Sequence, residues 1–198
     1  MSGSLEARLE AIVRAAPSLM IVLETACRLD LPDWLVVSGA VYQRVLNHLT
    51  GRDPDYGIKD YDLFYFDAAD ISYEAEDLVI RRVAAAFEPP LRDQVEVRNQ
   101  ARVHLWFEGK FGEAYSPLGC SAEALTRFVS PLFAVGVKLE RDGRLTIIAP
   151  LGLDDLFALR LRPCPGRERA FARVTPGVTA RWPELNVESA PGAARRAH

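Results

Sequence analysis

Two aspartates, Asp60 and Asp62, stand at the start of an aromatic and apolar run from Tyr61 to Phe66, and this arrangement constrains the chain more than any other feature. The run predicts a buried strand. Residues two apart on a strand project to the same face, so both carboxylates would emerge together. Like charges held this close are unfavourable unless a cation lies between them. Mg²⁺ (or Mn²⁺), a hard ion that prefers oxygen ligands and is usually shared with substrate phosphates, is the expected occupant.

A second motif lies one predicted helix upstream of this pair. A short apolar strand predicted over 34–37 ends in Ser38-Gly39-Ala40, and apolar residues at helical spacing follow from Val41 to Leu49. A helix that begins directly after a strand presents free N–H groups and the positive end of its dipole, which favours an anionic phosphate. Glycine lets the phosphate approach the backbone without meeting a Cβ. The two motifs together predict a site for a metal-bound triphosphate.

The remaining pattern of apolar residues, turns and breaks predicts further helices and strands around these motifs. We predict helices over about 5–13, 17–28, 72–87 and 154–161, and strands over about 95–97, 103–107, 133–139 and 145–149. The last two strands flank Arg141-Asp142-Gly143, a turn sequence that favours an antiparallel hairpin. The alternation indicates an α/β (α+β) fold, a small mixed β-sheet flanked by helices with an added antiparallel hairpin.

The chain shows no internal repeat and no linker that would divide it. We therefore expect a single domain over 1–185, with a helical segment over 1–30 packed on it. Beyond Pro163 the sequence is rich in proline and arginine, and we expect a disordered tail over 186–198.

Charge and composition exclude several classes of protein. The formal net charge is -3, which disfavours general nucleic-acid binding through bulk charge. The three cysteines are scattered without a CxxC pair, so neither a disulfide framework nor a zinc knuckle is expected. No stretch approaches the about 20 apolar residues that span a bilayer, and the charged N-terminus lacks the apolar core of a signal peptide. We expect a cytoplasmic protein with no membrane partner.

Five segments of the chain resemble a known group of proteins: SGAVYQRVLNHLTG, YGIKDYDLFYFD, VRNQARVHLWF, APLGLDDLFALRLRP and RWPEL. They resemble the nucleotidyltransferase superfamily that shares the catalytic fold of DNA polymerase beta, and more closely a bacterial family of small nucleotidyltransferase-like proteins. The resemblance implies a nucleotidyltransferase fold in which Gly39 and Ala40 hold the triphosphate and Asp60 and Asp62 bind metal. The chain departs from the superfamily pattern by its Gly-Ala turn, where Gly-Gly or Gly-Ser is usual.

The resemblance also implies a third carboxylate on a neighbouring strand, which active members use to activate the attacking hydroxyl. Glu96 is our candidate, because its neighbours Val95 and Val97 would face the opposite way, into a core. Phosphoryl transfer with two metals needs ligands on both sides of the displacement, and Glu96 would complete that set. The alternative is an edge-strand glutamate that faces water.

Two basic residues are further candidates for nucleotide contacts. Lys59 directly precedes the aspartate pair and would neutralise it or touch a phosphate, although a plain surface lysine is an equal alternative. Arg102 and His104 are two residues apart, so beside the strand predicted over 103–107 they would project to the same face. This would point the forked donors of Arg102 into the cleft. We favour a structural, hydrogen-bonded role for His104, because no second histidine or cysteine lies nearby.

The function that these features predict is transfer of a nucleoside monophosphate from a nucleoside triphosphate to an acceptor hydroxyl with Mg²⁺. The acceptor is open between a protein side chain, a small molecule and an RNA end. One alternative is a non-catalytic nucleotide-binding or regulatory module with a degenerate nucleotidyltransferase fold. A more distant one is a nucleotide-sugar glycosyltransferase, whose metal motif normally follows a larger nucleotide-binding half than the 59 residues that precede Asp60 here.

Overall fold

The computed structural model of the chain describes residues 4–188 and centres on a five-stranded mixed sheet. The sheet has the order β3-β2-β1-β4-β5, in which β2 and β3 are parallel and all other neighbours are antiparallel. Its strands are Leu35–Val37 (β1), Tyr61–Tyr65 (β2), Val95–Asn99 (β3), Gly136–Leu139 (β4) and Leu145–Ile148 (β5). The predicted mixed sheet and its antiparallel hairpin, β4 with β5, are confirmed.

Nine helices surround this sheet within the described residues. They are Leu5–Arg14 (α1), Pro17–Leu29 (α2), Gly39–Leu49 (α3), Tyr73–Ala85 (α4), Leu91–Gln94 (α5), Phe107–Phe111 (α6), Ser121–Leu125 (α7), Asp154–Phe157 (α8) and Glu168–Arg181 (α9). Short 3₁₀ helices cover Gln100–Leu105 and Pro131–Phe133. Between residues 4 and 188, no helix combines the length and the apolar character needed to cross a bilayer.

The alternation of side chains along the strands gives the sheet two different faces. Val36, Leu63 and Val97 point into the main core, where helices α1 to α4 contribute most of the apolar partners. The residues that alternate with these three along each strand point to the opposite face. That face carries Asp62 and Glu96 and is covered only in part. One face therefore stabilises the fold, and the other is left for a site.

A buried arginine on α3 ties together the two segments on which that site depends. The Arg44 Nη1 donates to the Ala40 carbonyl oxygen at 2.6 Å, at the first turn of α3. The Nη2 donates to Asp55 Oδ1 at 2.6 Å and to the Tyr61 hydroxyl at 3.1 Å. Because Arg44 is 1% exposed, these partners replace the water that its charge would otherwise need. The loop that precedes Asp60 is thus fixed to the start of α3.

Asn47 of α3 also holds this loop and links it to Trp182, the residue that follows α9. The Asn47 side-chain amide donates to the Pro54 and Tyr56 carbonyl oxygens at 3.2 and 2.9 Å, and its Oδ1 accepts from Trp182 Nε1 at 2.9 Å. Trp182 is fully buried, which agrees with an anchor for the C-terminal segment. Arg181, next to it, donates to the Gly57 carbonyl oxygen at 3.2 Å.

Two predicted elements differ in the structure. The strand predicted over 103–107 is wrong: the chain turns at Asn99, whose Oδ1 accepts from the Ala101 N–H at 3.0 Å and caps the 3₁₀ helix Gln100–Leu105. The helix predicted over 154–161 stops at Phe157, because Leu159 takes a positive φ of 53° and the chain then forms β6, Arg160–Leu161.

The segment beyond Pro163 is more ordered than its composition indicates. It contains α9, which has Pro176 within it, and the strand Asn186–Val187 (β7), which pairs in parallel with β6. Two residues that we assigned to the tail therefore belong to a ladder. Residues 189–198 of the predicted tail lie outside the described residues, and the division into one domain over 1–185 stays a prediction.

We predict that Trp182→Ala lowers the free energy of unfolding by about 3–5 kcal/mol, because it leaves a large cavity in the core. Trp182→Phe keeps most of the volume but leaves Asn47 Oδ1 without its donor, and we expect a loss of about 1–3 kcal/mol. Urea titrations measure both. Trp106→Ala, at a half-buried position, is the control; an equal loss there would contradict the assignment of Trp182 as the anchor.

Candidate active site

The parallel pairing of β2 with β3 places two predicted site residues side by side. Asp62 is the register partner of Glu96, and on its other side it pairs with Val37 of β1. Neighbouring strands lie about 4.8 Å apart, so the two carboxyl groups start from adjacent positions on one face. Asp60, the residue before β2, is half-buried and close enough to act on the Asp62 charge. The structure thus places Asp62 beside Glu96 and leaves Asp60, which does not line the same cavity, within electrostatic reach of Asp62.

The electrostatics of this group are unfavourable to its central member. Burial, followed by the charges of Asp60 and Glu96, raises the pKa of the Asp62 carboxyl from 3.8 to about 7. Arg98 opposes this effect, and its Nη2 lies 3.8 Å from Glu96 Oε2. Arg98 is the cation that opposes these charges at Asp62, so the immediate surroundings of that carboxyl are negative, and a cation would offset them.

The donor set fits Mg²⁺, although it does not form a closed cage. Among residues 4–188, no group of three histidine, cysteine or acidic side chains is clustered tightly enough to hold a metal ion. Mg²⁺ is typically held by one or two carboxylates together with substrate phosphates, and the half-buried Asp62, with Glu96 beside it and Asp60 nearby, meets that requirement. The residues therefore suit an ion that arrives with its phosphates better than a resident one.

The turn between β1 and α3 has an unusual backbone. Ser38 takes φ 59° and ψ −129°, a conformation that non-glycine residues rarely adopt and that costs about 1–3 kcal/mol. It is held by the Ser38 N–H, which donates to the Val135 carbonyl oxygen at 3.1 Å. Gly39 and Ala40 are the first two residues of α3, so their N–H groups have no acceptor within the helix. Strain of this kind is commonly stored at binding sites.

A cavity of about 620 Å³ lies over the carboxylate face of the sheet. Ser38, Asp62 and Glu96 are on its floor, and helix α9 together with the 3₁₀ segment and α6 supplies much of its wall. Aromatic side chains make up a large part of the lining: Tyr42, Phe64, Trp106, Phe107, Tyr115, Phe128 and Phe133. Five basic side chains complete it: Arg98, Lys110, Arg127, Arg167 and Arg181.

Two of these cations have no carboxylate partner in the part of the chain that the structure describes. Lys110 lies over the Trp106 ring, 5.6 Å from its centroid. Arg181 packs on the Trp182 ring at 4.7 Å and donates only to backbone oxygens. Burial raises the pKa of the Tyr42 hydroxyl, Arg181 opposes that effect, and the charges of Asp62 and Asp60 add to it. Arg181 and the two carboxylates therefore both act on Tyr42.

The structure does not bring every predicted site residue to this cavity. Arg102, which we predicted to contact the nucleotide, does not line the cavity: it forms an ion pair with Glu76 and donates through Nε to the Ile71 carbonyl oxygen at 3.2 Å. It points away because the strand that would have aimed it is a 3₁₀ helix. Lys59 is exposed and does not line the cavity. Ser38 lines the cavity, and Gly39 and Ala40 follow it in the chain without being among the lining residues.

Several residues of the cavity escaped the sequence analysis. Arg98 had a usable signal, because it lies two residues after Glu96 on the same strand and must share its face. Lys110, Arg127, Arg167 and Arg181 come from helices and loops far apart in sequence, and no spacing connects them.

We predict that Asp62→Asn stabilises the protein in the absence of divalent metal. The folded pKa of about 7 lies above the 3.8 of an unperturbed aspartate, so ionisation of Asp62 costs stability progressively from about pH 4 to pH 7 and fully above that range. At pH 8 in EDTA the variant should gain on the order of 1–3 kcal/mol in the free energy of unfolding, and little at pH 4. Asp142→Asn, in the β4–β5 turn, is the control. A gain that is equal at both pH values would contradict the prediction.

Comparison with known proteins agrees with the geometry. A protein solved by NMR, whose structure is described as revealing a CCA-adding enzyme head domain, superposes with a TM-score of 0.75 at 24% identity, over 92% of this chain and 94% of that one. This similarity shows the fold. No curated protein sequence matches the chain. The model of a family described as nucleotidyltransferase matches residues 24–187, most of the chain. The protein belongs to this nucleotidyltransferase family.

Proposed function

We propose that the protein transfers a nucleoside monophosphate from a nucleoside triphosphate to an acceptor hydroxyl in a Mg²⁺-dependent reaction. The observation that carries this proposal is the register of β2 with β3, which sets Asp62 beside Glu96 on the floor of a cavity with basic and aromatic walls. Family membership supports the reaction class. The fold alone would not support it, because function has to be argued from the site.

The triphosphate would lie between the start of α3 and the basic wall. The N–H groups of Gly39 and Ala40 offer donors at the positive end of a helix. Arg181 has no carboxylate partner within residues 4–188; its Nε and Nη1 donate to backbone oxygens, which leaves Nη2 to meet phosphate oxygens. Arg98, on the floor beside Glu96, can exchange a long ion pair for a phosphate.

The nucleoside would lie against the aromatic wall. Phe107 packs on Tyr115 with ring centroids 4.5 Å apart, and Trp106 lies 6.1 Å from Phe107. Base stacking on such side chains is sequence-tolerant, because every base has a π-face. We therefore expect the wall to bind more than one base.

In the reaction, the acceptor oxygen attacks the α-phosphorus, the bond to the bridging oxygen breaks and pyrophosphate leaves. Glu96, whose side chain is 55% exposed on the floor of the site, would accept the proton of the acceptor hydroxyl. Arg181 and Arg98 would hold the pyrophosphate portion in line with the attack. Mg²⁺ bound to Asp60 and Asp62 would neutralise charge that develops on the phosphate oxygens.

One observation favours the second candidate, a nucleotide-binding module without catalysis. Glu96 is paired with Arg98, and the described residues contain no closed metal cluster. A scaffold that has lost its chemistry would keep the cavity and show these features. The role of Glu96 separates the two functions, since only catalysis requires it.

We predict that Mg²⁺ plus a nucleoside triphosphate raises the melting temperature, and that Asp60→Asn/Asp62→Asn abolishes the shift. A ligand at 100 times its Kd adds about 2.7 kcal/mol, which is readily measured by thermal denaturation. The control is Asp30→Asn/Asp142→Asn, which also removes two negative charges but lies at the far side of the molecule, near the β4–β5 hairpin. Loss of the shift in both double variants would point to net charge instead of a site. No shift in the wild type with any of the four ribonucleotides would refute the substrate class.

We predict that Glu96→Gln keeps this thermal shift but loses transfer. General-base catalysis contributes about 10²–10⁴-fold, so pyrophosphate release in the presence of a pool of small metabolites should fall by that factor. Glu108→Gln, an exposed glutamate on α6 that does not line the cavity, should release pyrophosphate at the wild-type rate. Binding without release in the wild type would favour the non-catalytic module.

A further inference from the structure

We propose that a smaller cavity adjoining the nucleotide cavity holds the acceptor, and that the acceptor is a small molecule with an anionic group, phosphate or carboxylate, beside its reactive hydroxyl. This inference rests on the proposed function and names the class of its second substrate. We call the smaller space the side cavity; its own residues include Ala114, Ser116, Thr126, Leu151 and Cys164.

The side cavity adjoins the nucleotide cavity. It has a volume of about 290 Å³, and three of its lining residues, Tyr115, Arg127 and Arg167, also line the larger cavity. These three side chains form the boundary between the two spaces. A molecule in the side cavity would therefore be separated from the nucleotide by one layer of side chains. A co-substrate needs this proximity.

The charge of the side cavity selects an anion. Its lining contains two arginines and no acidic residue. The ion pairs of these arginines leave both of them able to bind an anion. Arg127 lies 3.5 Å from Glu123 in an exposed pair, which contributes little to stability. Arg167 pairs with Glu113 at 2.7 Å, but Glu113 also pairs with Arg173 at 3.2 Å and divides its charge between them.

A buried donor on Arg167 points to a missing acceptor. Its Nε is shielded from solvent and has no hydrogen-bond partner in the part of the chain that the structure describes. A buried donor without a partner is unfavourable, so a ligand oxygen that accepts from it would remove a penalty already present in the protein. Phosphate and carboxylate oxygens have the geometry that a guanidinium prefers.

Size and reactivity exclude the other acceptors. A volume near 300 Å³ is at the lower limit of small-molecule sites and is too small for a folded protein surface or an RNA end with its neighbouring nucleotides. Cys164 is not itself a nucleophile for transfer, because burial raises the pKa of its thiol and keeps it protonated. The lining offers no other strong nucleophile, so the attacking oxygen belongs to the ligand.

The anionic group would orient the acceptor for the reaction already described. With that group on Arg127 and Arg167, the hydroxyl end would extend past Tyr115 toward the α-phosphate. The new bond joins the acceptor oxygen to the α-phosphorus, the bond to the β-phosphate bridge breaks with its electron pair, and the hydroxyl proton passes to Glu96. The products are the nucleotidylated acceptor and pyrophosphate.

The test uses inorganic phosphate as the probe on the full chain saturated with Mg²⁺ and a non-hydrolysable triphosphate analogue. We expect phosphate to shift the amide NMR signals of residues 114–116, Cys164, Gly166 and Arg167. Thr126→Glu should weaken phosphate binding by about tenfold or more through repulsion. Thr126→Gln, the matched neutral variant, should bind as the wild type does. Both variants lose the same hydrogen bond from the Thr126 hydroxyl to the Glu123 carbonyl oxygen, so folding effects cancel.

Nucleotide binding is read separately, by the fluorescence of Trp106. Trp34 and Trp182 are buried, so the half-buried Trp106 in the nucleotide cavity reports on the analogue. Quenching that is unchanged in both Thr126 variants, with phosphate binding lost only in Thr126→Glu, supports the inference. No quenching in any protein would refute the proposed function. Quenching with phosphate shifts that are absent, confined to residues 38–40, or equal in the two variants would overturn the acceptor site alone.

Discussion

The site depends on the position of β2 between β1 and β3. Pairing on both sides fixes which side chains of β2 point into the core and which point out, and a slip of one residue would exchange them. Leu63 is fully buried on the core face, so its neighbour Asp62 must lie on the other. The apolar contacts of Leu63 thus hold a carboxylate where burial and two like charges oppose it. Packing on one face of the sheet thus fixes the position of an unfavourable charge on the opposite face.

The prediction of the sheet succeeded, and the shared face of Asp62 and Glu96 was predictable, because these features depend on local periodicity. Leu63 fixes the face of Asp62, and the valines around Glu96 determine the face of that residue. The hairpin was readable from Asp142-Gly143 for the same reason, since the turn chemistry involves only neighbouring residues. The family model matches the region in which these patterns lie.

The parts that sequence reasoning missed are determined by tertiary contacts. The apolar residues that follow Arg102 have the pattern of a strand. The Asn99 cap nevertheless turns the chain, and the ion pair with Glu76 holds the arginine away from the cavity. Helix α9 contains Pro176, which penalises a helix locally, and packing of Phe171 and Val178 in the core offsets that cost. The basic wall could not be predicted because Lys110 and Arg181 come together only in three dimensions.

The anchoring of Trp182 has a consequence for how the protein is made. Asn47, its hydrogen-bond partner, precedes it by 135 residues, and α9, which walls the nucleotide cavity, lies just before it. During synthesis the N-terminal part of a chain emerges first. The sheet and its carboxylates can therefore assemble on the ribosome while the wall is still missing. The cavity closes only when α9 docks, so the capacity to bind a nucleotide is acquired late, after most of the core has formed.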